Sequence, residues 1–209
     1  MGVPWLSEIP RHWAVAQVKR HFSIQLGKML QSNQLRSDEQ LVRYLKARHV
    51  QWFAVSAANL PRMWASSEEI KRYGVEAGDL LVCEGGEGGR CGILTQVDAP
   101  CIIQNALHRV RAKGTSTVEY LQYVMSVVAL SGWFDAINNK ATIAHFTREK
   151  FGALSMPVPP AIEQGPITAF LNQIDKGISY LIRARRQQIK LLNEQKQVII
   201  NHAVTRGLD

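Results

Sequence analysis

The sequence has little cysteine and no long apolar run. No stretch approaches the roughly 20 apolar residues of a membrane-spanning helix, so we expect no membrane segment. The opening residues, MGVPWLSEIPRHW, lack the basic-then-apolar order of a secretory signal. The cysteines are odd in number, and their spacing fits no CxxC-type metal site. They are Cys83, Cys91 and Cys101. This pattern predicts buried, reduced thiols and a cytoplasmic protein.

Motifs for catalysis and cofactor binding are also missing. The glycine-dense loop at residues 84–92, EGGEGGRCG, has no following Lys-Ser or Lys-Thr, as a phosphate loop requires. Cys91 stands where a dinucleotide fingerprint has its third glycine. The histidines form no HExxH pair, and no GxSxG elbow is present. We therefore predict no enzyme activity, no metal site and no cofactor bound by this chain.

The stretch PVPPAIEQ at residues 157–164 invites comparison with the catalytic loop of amino-methyltransferases that act on a flipped base. Such a loop has Asp or Asn before Pro-Pro and an aromatic residue after it, to hold and stack the base. Here Val158 precedes the two prolines and Ala161 follows them. We interpret the prolines as the rigid boundary between two kinds of structure.

Acidic residues are fewer than basic ones. The chain has 25 Lys and Arg against 17 Asp and Glu, which gives a net charge of +8. Residues 11–50 carry eight basic and two acidic side chains, interleaved with Gln and Asn. Basic residues place a protein on phosphates, and amide side chains can read adenine edges. The surplus favours a nucleic-acid partner; a solvated basic face is the alternative.

Residues 1–160 read as an α+β domain of mixed short strands and helices. WAVAQVKRHFSI, at residues 13–24, alternates as a strand does, and a capping box at Ser66 and Glu69 predicts a helix at 66–75. Residues 77–97 predict two strands around the glycine loop, and residues 100–112 predict another strand. Residues 117–137 have helical spacing, with Gly132 as the stop.

Residues 161–209 predict one long helix, from about Pro166 to Arg206, with Gly207 as its cap. At about 1.5 Å per residue, such a helix would extend past a domain of this size. Its apolar residues approach a heptad seam, which predicts an antiparallel partner helix. The alternative is a break near Gly177 that folds the segment back. The seam positions are Leu171, Ile174, Ile178, Ile182, Ile189, Leu192 and Ile199.

Several stretches together resemble the specificity subunits of type I restriction–modification systems. The start resembles the WLGEIP-x-HW opening of these subunits, two internal stretches resemble their target recognition domain, and the last two resemble its exit and the conserved helix. The stretches are VPWLSEIPRHW, GDLLVCEGGEGGRCGI, IIQNALHRVR, TIAHFTREKFGALSMPVPPAIEQ and INHAVTRGLD. The resemblance covers nearly the whole chain.

The resemblance implies a non-catalytic, sequence-specific DNA-binding subunit. Such a subunit docks separate methyltransferase and restriction subunits, and S-adenosylmethionine would be bound by the methyltransferase. It has two tandem copies of domain plus helix, each domain reading one part of a split double-stranded target. The fold is α+β and resembles the DNA-reading domain of adenine methyltransferases. The contact residues that we expect are Arg43, Tyr44, Lys46, Arg48, Glu87, Arg90 and Gln104.

The sequence departs from this family in two ways. It holds one copy of domain plus helix, so we expect either a natural half-subunit or part of a longer one. Self-pairing of the helix would then give a twofold dimer and a gapped palindromic target. An assembly scaffold, or a fragment that binds DNA without target readout, is the alternative. The second departure is Gly165-Pro166, where helix formers are usual, which predicts a later start or a bend.

Overall fold

The computed structural model describes residues 3, 5–134 and 146–207. These residues form eleven strands, five α-helices and one short 3-10 helix. The strands are β1 Ala14–Gln17, β2 Phe22–Leu26, β3 Glu39–Leu45, β4 Val50–Gln51, β5 Ala54–Val55, β6 Arg62–Ser66, β7 Leu80–Cys83, β8 Cys91–Ile93, β9 Cys101–Ile103, β10 Leu107–Ala112 and β11 Ser155–Val158. The helices are α1 Val18–His21, α2 Ser67–Tyr73, α3 Val118–Leu130, α4 Arg148–Ala153, α5 Ala161–Arg206 and the 3-10 helix Ala47–His49.

Two small sheets form the body of the domain. One has the order β2-β10-β7-β8 and is antiparallel throughout. The other has the order β6-β3-β9, with β6 antiparallel and β9 parallel to β3. Strand β1 pairs with β11, and β4 pairs with β5. The α+β class predicted from the sequence is confirmed.

The core lies where these sheets meet. All four residues of β7 are apolar and buried, because the strand lies between β10 and β8, to which it is hydrogen-bonded. A second cluster lies under β3 and β6. The first cluster contains Leu45, Val50, Val75, Leu81, Cys83, Leu94, Cys101, Ile103 and Leu107. The three cysteines are free and buried, as predicted, and burial raises the pKa of each thiol.

Several local signals in the sequence proved accurate. Ser66 and Glu69 form a reciprocal capping box at α2. Strands β7 and β8 flank the glycine loop, and α3 ends before Gly132, which has a φ of 71°. The predicted end of α3 at residues 135–137 lies outside the described residues.

Two strand predictions were wrong in detail. The segment predicted as one strand from residue 13 to 24 forms β1 and β2, which belong to different sheets and are joined by the single turn α1. Residues 100–112 form β9 and β10 rather than one strand. A tight connection at Gln104–Leu107, closed by the hydrogen bond from Leu107 N to Gln104 O, separates them. Alternation alone does not reveal such short changes of direction.

The N-terminal stretch is tied to distant parts of the domain. Trp5 Nε1 donates to the carbonyl of Ser155 over 3.0 Å. Trp13 Nε1 donates to Glu163 Oε2, and His12 Nε2 lies 2.9 Å from Glu163 Oε1. The aromatic residues of this stretch therefore hold strand β11 and the first turn of α5.

Helix α5 begins at Ala161, earlier than the predicted Pro166, and directly follows the two prolines. Its first turn is fixed by Gln164, which is buried, accepts from Thr117 N and donates to Pro159 O. Pro166 lies inside the helix, and Gly177 does not break it, so the predicted alternative of a break near Gly177 is wrong. Gly207 ends it with a φ of 83°. The chain divides into two compact units between Gln164 and Gly165.

Among the helices of the described residues, none combines the length and the apolar character needed to cross a bilayer.

Candidate DNA-binding surface

A basic residue and an amide residue lie at neighbouring positions where β3 and β9 end side by side. The two strands are parallel, and Gln104 N donates to Leu45 O over 2.9 Å. Lys46 follows Leu45 directly, so the half-buried side chains of Lys46 and Gln104 belong to neighbouring backbone positions. A cation beside an amide is the pairing that contacts a phosphate and a base edge.

Two arginines stand opposite each other on β3 and β6. Arg43 and Arg62 are register partners, and both lie on the face of the sheet opposite the second core cluster. Arg43 pairs with Asp98 through Nη1 and Oδ2 at 2.7 Å, but 41% of its side chain stays exposed. Like charges directly opposite on a sheet are destabilising, and an anion beside them relieves the repulsion. Asp98 supplies such an anion for Arg43, and a phosphate would supply one for Arg62.

The 3-10 helix presents further positive charge. His49 is buried, and its Nδ1 accepts a hydrogen bond from Lys46 N. Burial lowers the pKa of His49, and the charges of Arg48 and Lys46 lower it further. The ring is therefore held neutral and acts as a support, while the Arg48 side chain is exposed.

The glycine loop is held by two hydrogen bonds to the carboxylate of Glu87. Its carboxylate accepts from Trp52 Nε1 at 2.7 Å and from Arg90 Nη1 at 3.0 Å. Arg90 also donates through Nη2 to Ala47 O over 3.2 Å, and only 18% of its side chain is exposed. In this conformation Arg90 joins the loop to the 3-10 helix, whereas Glu87, with 55% exposed, faces solvent.

Tyr44 corrects one of our contact predictions. Its side chain is 5% exposed and lies in the second core cluster with Val42, Met63, Ala65 and Ile102. Side chains alternate between the faces of a strand, so Arg43 faces outward and Tyr44 inward. A buried ring cannot contact DNA, and the basic neighbours that suggested this residue do not indicate which face it occupies.

The structure thus brings together four of the predicted residues and adds one. We call Arg43, Lys46, Arg48, Arg62 and Gln104 the candidate DNA-binding surface. Glu87 and Arg90 border it through Ala47. Sequence reasoning missed Arg62 because its importance comes from pairing opposite Arg43, and the partner of a strand is not visible in the sequence. The DNA contacts themselves stay predictions.

Within the described part of the chain, no group of three or more His, Cys, Asp or Glu side chains is arranged to hold a metal ion.

The comparisons identify the family. The sequence model of the type I restriction modification DNA specificity domain matches residues 11–191. The chain belongs to this family. The matched region runs from the N-terminal stretch across the candidate DNA-binding surface and through most of α5, and the family carries DNA specificity in type I restriction–modification systems.

Solved structures share the fold. The first comes from a study of complex assembly and conformational transition of the type I R-M system; it is 20% identical with a TM-score of 0.73, and covers 97% of this chain and 48% of that chain. The HsdS subunit from Thermoanaerobacter tengcongensis is 20% identical with a TM-score of 0.64, and covers 97% and 47%. The type I S subunit from M. genitalium is 15% identical with a TM-score of 0.55, and covers 93% and 47%.

The chain spans about half the length of the solved subunits that it matches. No curated protein matches its sequence significantly.

Proposed function

We propose that this chain reads one half of a bipartite DNA target for a type I restriction–modification complex. The domain binds the target, and the long helix docks the methyltransferase and restriction subunits. The observation that carries the proposal is the family match over residues 11–191, which includes both the domain and most of the helix. S-adenosylmethionine is bound by the methyltransferase subunit, and this chain supplies recognition rather than chemistry.

The charge distribution supports binding to DNA. Arg43 and Arg62 form a like-charge pair on one sheet; Lys46 precedes the 3-10 helix that follows β3, and Arg48 lies within that helix. Gln104 lies at the end of the neighbouring strand. Cations of this kind supply affinity that depends on salt, and the amide supplies a donor and an acceptor for a base edge.

The exposed seam of α5 supports pairing through the helix. Six of its seven seam residues are exposed in the single chain, and Leu171 is partly buried. A helix that is not packed against a partner is marginal in water. Two copies packed antiparallel would hide both seams and make the target a gapped palindrome.

Selection of bound sequences from random duplex DNA tests the proposal. We expect the full chain, together with its methyltransferase subunit, to enrich a gapped motif. A flat profile with strongly salt-dependent binding would instead indicate a scaffold that holds DNA without reading it. That result would contradict target readout.

The variant Arg62→Gln tests the candidate DNA-binding surface. If Arg62 contacts a phosphate, the variant should weaken binding to all sequences and reduce the slope of log affinity against log salt by about 1. Arg72→Gln, an exposed arginine on α2, is the matched control and should leave the slope unchanged. Equal slopes for both variants would remove Arg62 from the surface.

A further inference from the structure

A short loop between β2 and β3 displays apolar side chains to solvent. Met29 is 74% exposed, Leu35 is 76% exposed and Leu30 is 47% exposed. Single exposed apolar residues are common, but a group of them marks an interaction site. We call residues 29–38 the β2–β3 loop.

The far end of this loop is fixed by a buried carboxylate. Glu39, whose side chain is 2% exposed, accepts hydrogen bonds from Leu35 N at 2.7 Å, Arg36 N at 3.2 Å and Gln31 Nε2 at 2.8 Å. One residue therefore holds three points of the loop. A loop ordered before binding loses less conformational entropy when it meets a partner.

The near end is fixed by a buried cation. Lys28 is 8% exposed, and its Nζ donates to Gln31 Oε1 at 2.9 Å and to Glu69 Oε1 at 2.5 Å. Trp64 N also donates to Gln31 O over 3.0 Å. These hydrogen bonds order the loop within the domain, and they hold the segments that carry the exposed Met29 and Leu35 in defined positions.

The loop continues the candidate DNA-binding surface. Lys28 N donates to Ile103 O at 2.8 Å, and Asn105 N donates to Lys28 O at 2.9 Å. These bonds flank Gln104, so Met29 leaves the domain directly beside a residue of that surface. Gly27 permits this approach, because a Cβ there would lie 2.3 Å from Gln104 O.

The composition of the loop favours DNA as its occupant. The residues between the apolar tips are polar, Gln31 to Gln34, and Arg36 follows with 58% of its side chain exposed. Apolar side chains contact the thymine methyl group in the major groove, while amides and arginine contact base edges and phosphates. The major groove of DNA is lined by phosphates at its edges, so it fits a loop whose apolar side chains are surrounded by polar and basic ones.

We propose that the β2–β3 loop is a base-reading element that places Met29 and Leu35 against thymine methyl groups of the target. This inference rests on the proposed function and names residues that determine its specificity. Glu39 and Lys28 act as positioning residues.

Replacing thymine by uracil tests the contact, because uracil keeps the Watson–Crick edge and lacks the methyl group. For each contacted thymine in the selected target, uracil should weaken binding of the unaltered chain about fourfold, the value expected for one buried methyl-sized group. Met29→Ala and Leu35→Ala should each abolish the penalty at one position and relax selection there.

The control is Leu130→Ala, which removes an 88% exposed leucine at the end of α3 and should leave every uracil penalty in place. If the unaltered chain selects no sequence, the proposed function fails. If it selects a target but the loop variants keep the same profile and penalties, this inference alone is overturned. Loss of methyltransferase assembly with an unchanged DNA profile would also overturn it, since the loop would then contact protein.

Discussion

The indole N–H of Trp13 donates a hydrogen bond of 2.9 Å to Glu163 Oε2, across 150 positions of the sequence. This bond, followed in importance by the one with His12, lowers the pKa of Glu163. The N-terminal stretch thereby fixes the first turn of α5, at the point where the domain passes into the long helix.

Removing that bond should weaken the domain. Trp13→Phe keeps an aromatic ring but leaves the carboxylate without its indole donor, so we expect the Tm to fall by roughly 2–6 °C. Differential scanning calorimetry of the full chain measures this. Trp64→Phe is the control, since the Trp64 indole N–H donates no hydrogen bond among the described residues. Equal shifts for both variants would contradict a specific role for the Trp13–Glu163 bond.

Substituting alanine for glycine should have different effects on stability at Gly27 and at Gly177. At Gly27 an added Cβ would lie 2.3 Å from Gln104 O and 2.4 Å from Ile103 O, both backbone atoms. Gly27→Ala should therefore displace the start of the β2–β3 loop and lower the free energy of unfolding by about 2 kcal/mol or more. Urea unfolding followed by tryptophan fluorescence measures the loss.

Gly177→Ala is the matched control within α5, where an added Cβ meets nothing within 4 Å. Alanine is favoured over glycine inside helices by about 1 kcal/mol, so helicity by circular dichroism should rise slightly or stay the same. A destabilised Gly177→Ala variant would indicate that this face of the helix is packed.

Local signals explain why much of the fold was predictable. The capping box at Ser66 and Glu69, the glycine loop between two apolar runs and the seam of α5 are each encoded within a few residues. These features follow from backbone hydrogen bonding and apolar periodicity, which act over short distances. The predicted helix and strands at these places were confirmed for that reason.

The candidate surface was less predictable because it depends on pairing between distant segments. Arg62 belongs to the surface because β6 pairs with β3 and places it opposite Arg43. Tyr44 does not belong to it, because its face of β3 is buried in the second core cluster. The start of α5 was misplaced because Pro166 was expected to lie in the first turn, whereas the buried Gln164 stabilises an earlier turn. Counting charges in the sequence locates the basic segment, but it does not show which face of a strand each side chain occupies.

Acid should loosen the β2–β3 loop through Glu39. Hydrogen bonds, first from Gln31 and then from the backbone at Leu35, lower the pKa of Glu39 from 4.5 to about 2. A lowered folded pKa means that the carboxylate stabilises the fold above about pH 4.5, and that this contribution is lost as the pH falls towards 2.

Comparing the unaltered chain with Glu39→Gln at several pH values isolates this effect. The Tm difference between the two proteins should be largest near neutral pH and shrink between about pH 4.5 and 2. Asp38→Asn is the control, because the Asp38 side chain is 61% exposed. A difference that stays constant over this range would show that the charge of Glu39 contributes nothing.

The seam of α5 should control the oligomeric state of the isolated chain. If two copies pair through it, the solution mass should be twice 23.5 kDa, and Ile178→Lys together with Ile189→Lys should return it to a single copy. Both residues are at least half exposed in one chain, so the lysines have room in the monomer and clash only in the dimer. Tyr180→Lys changes a residue that is 67% exposed and lies about 160–180° around the helix from Ile178 and Ile189, and it should leave the mass unchanged. A chain that stays at 23.5 kDa when concentrated would contradict self-pairing through the seam.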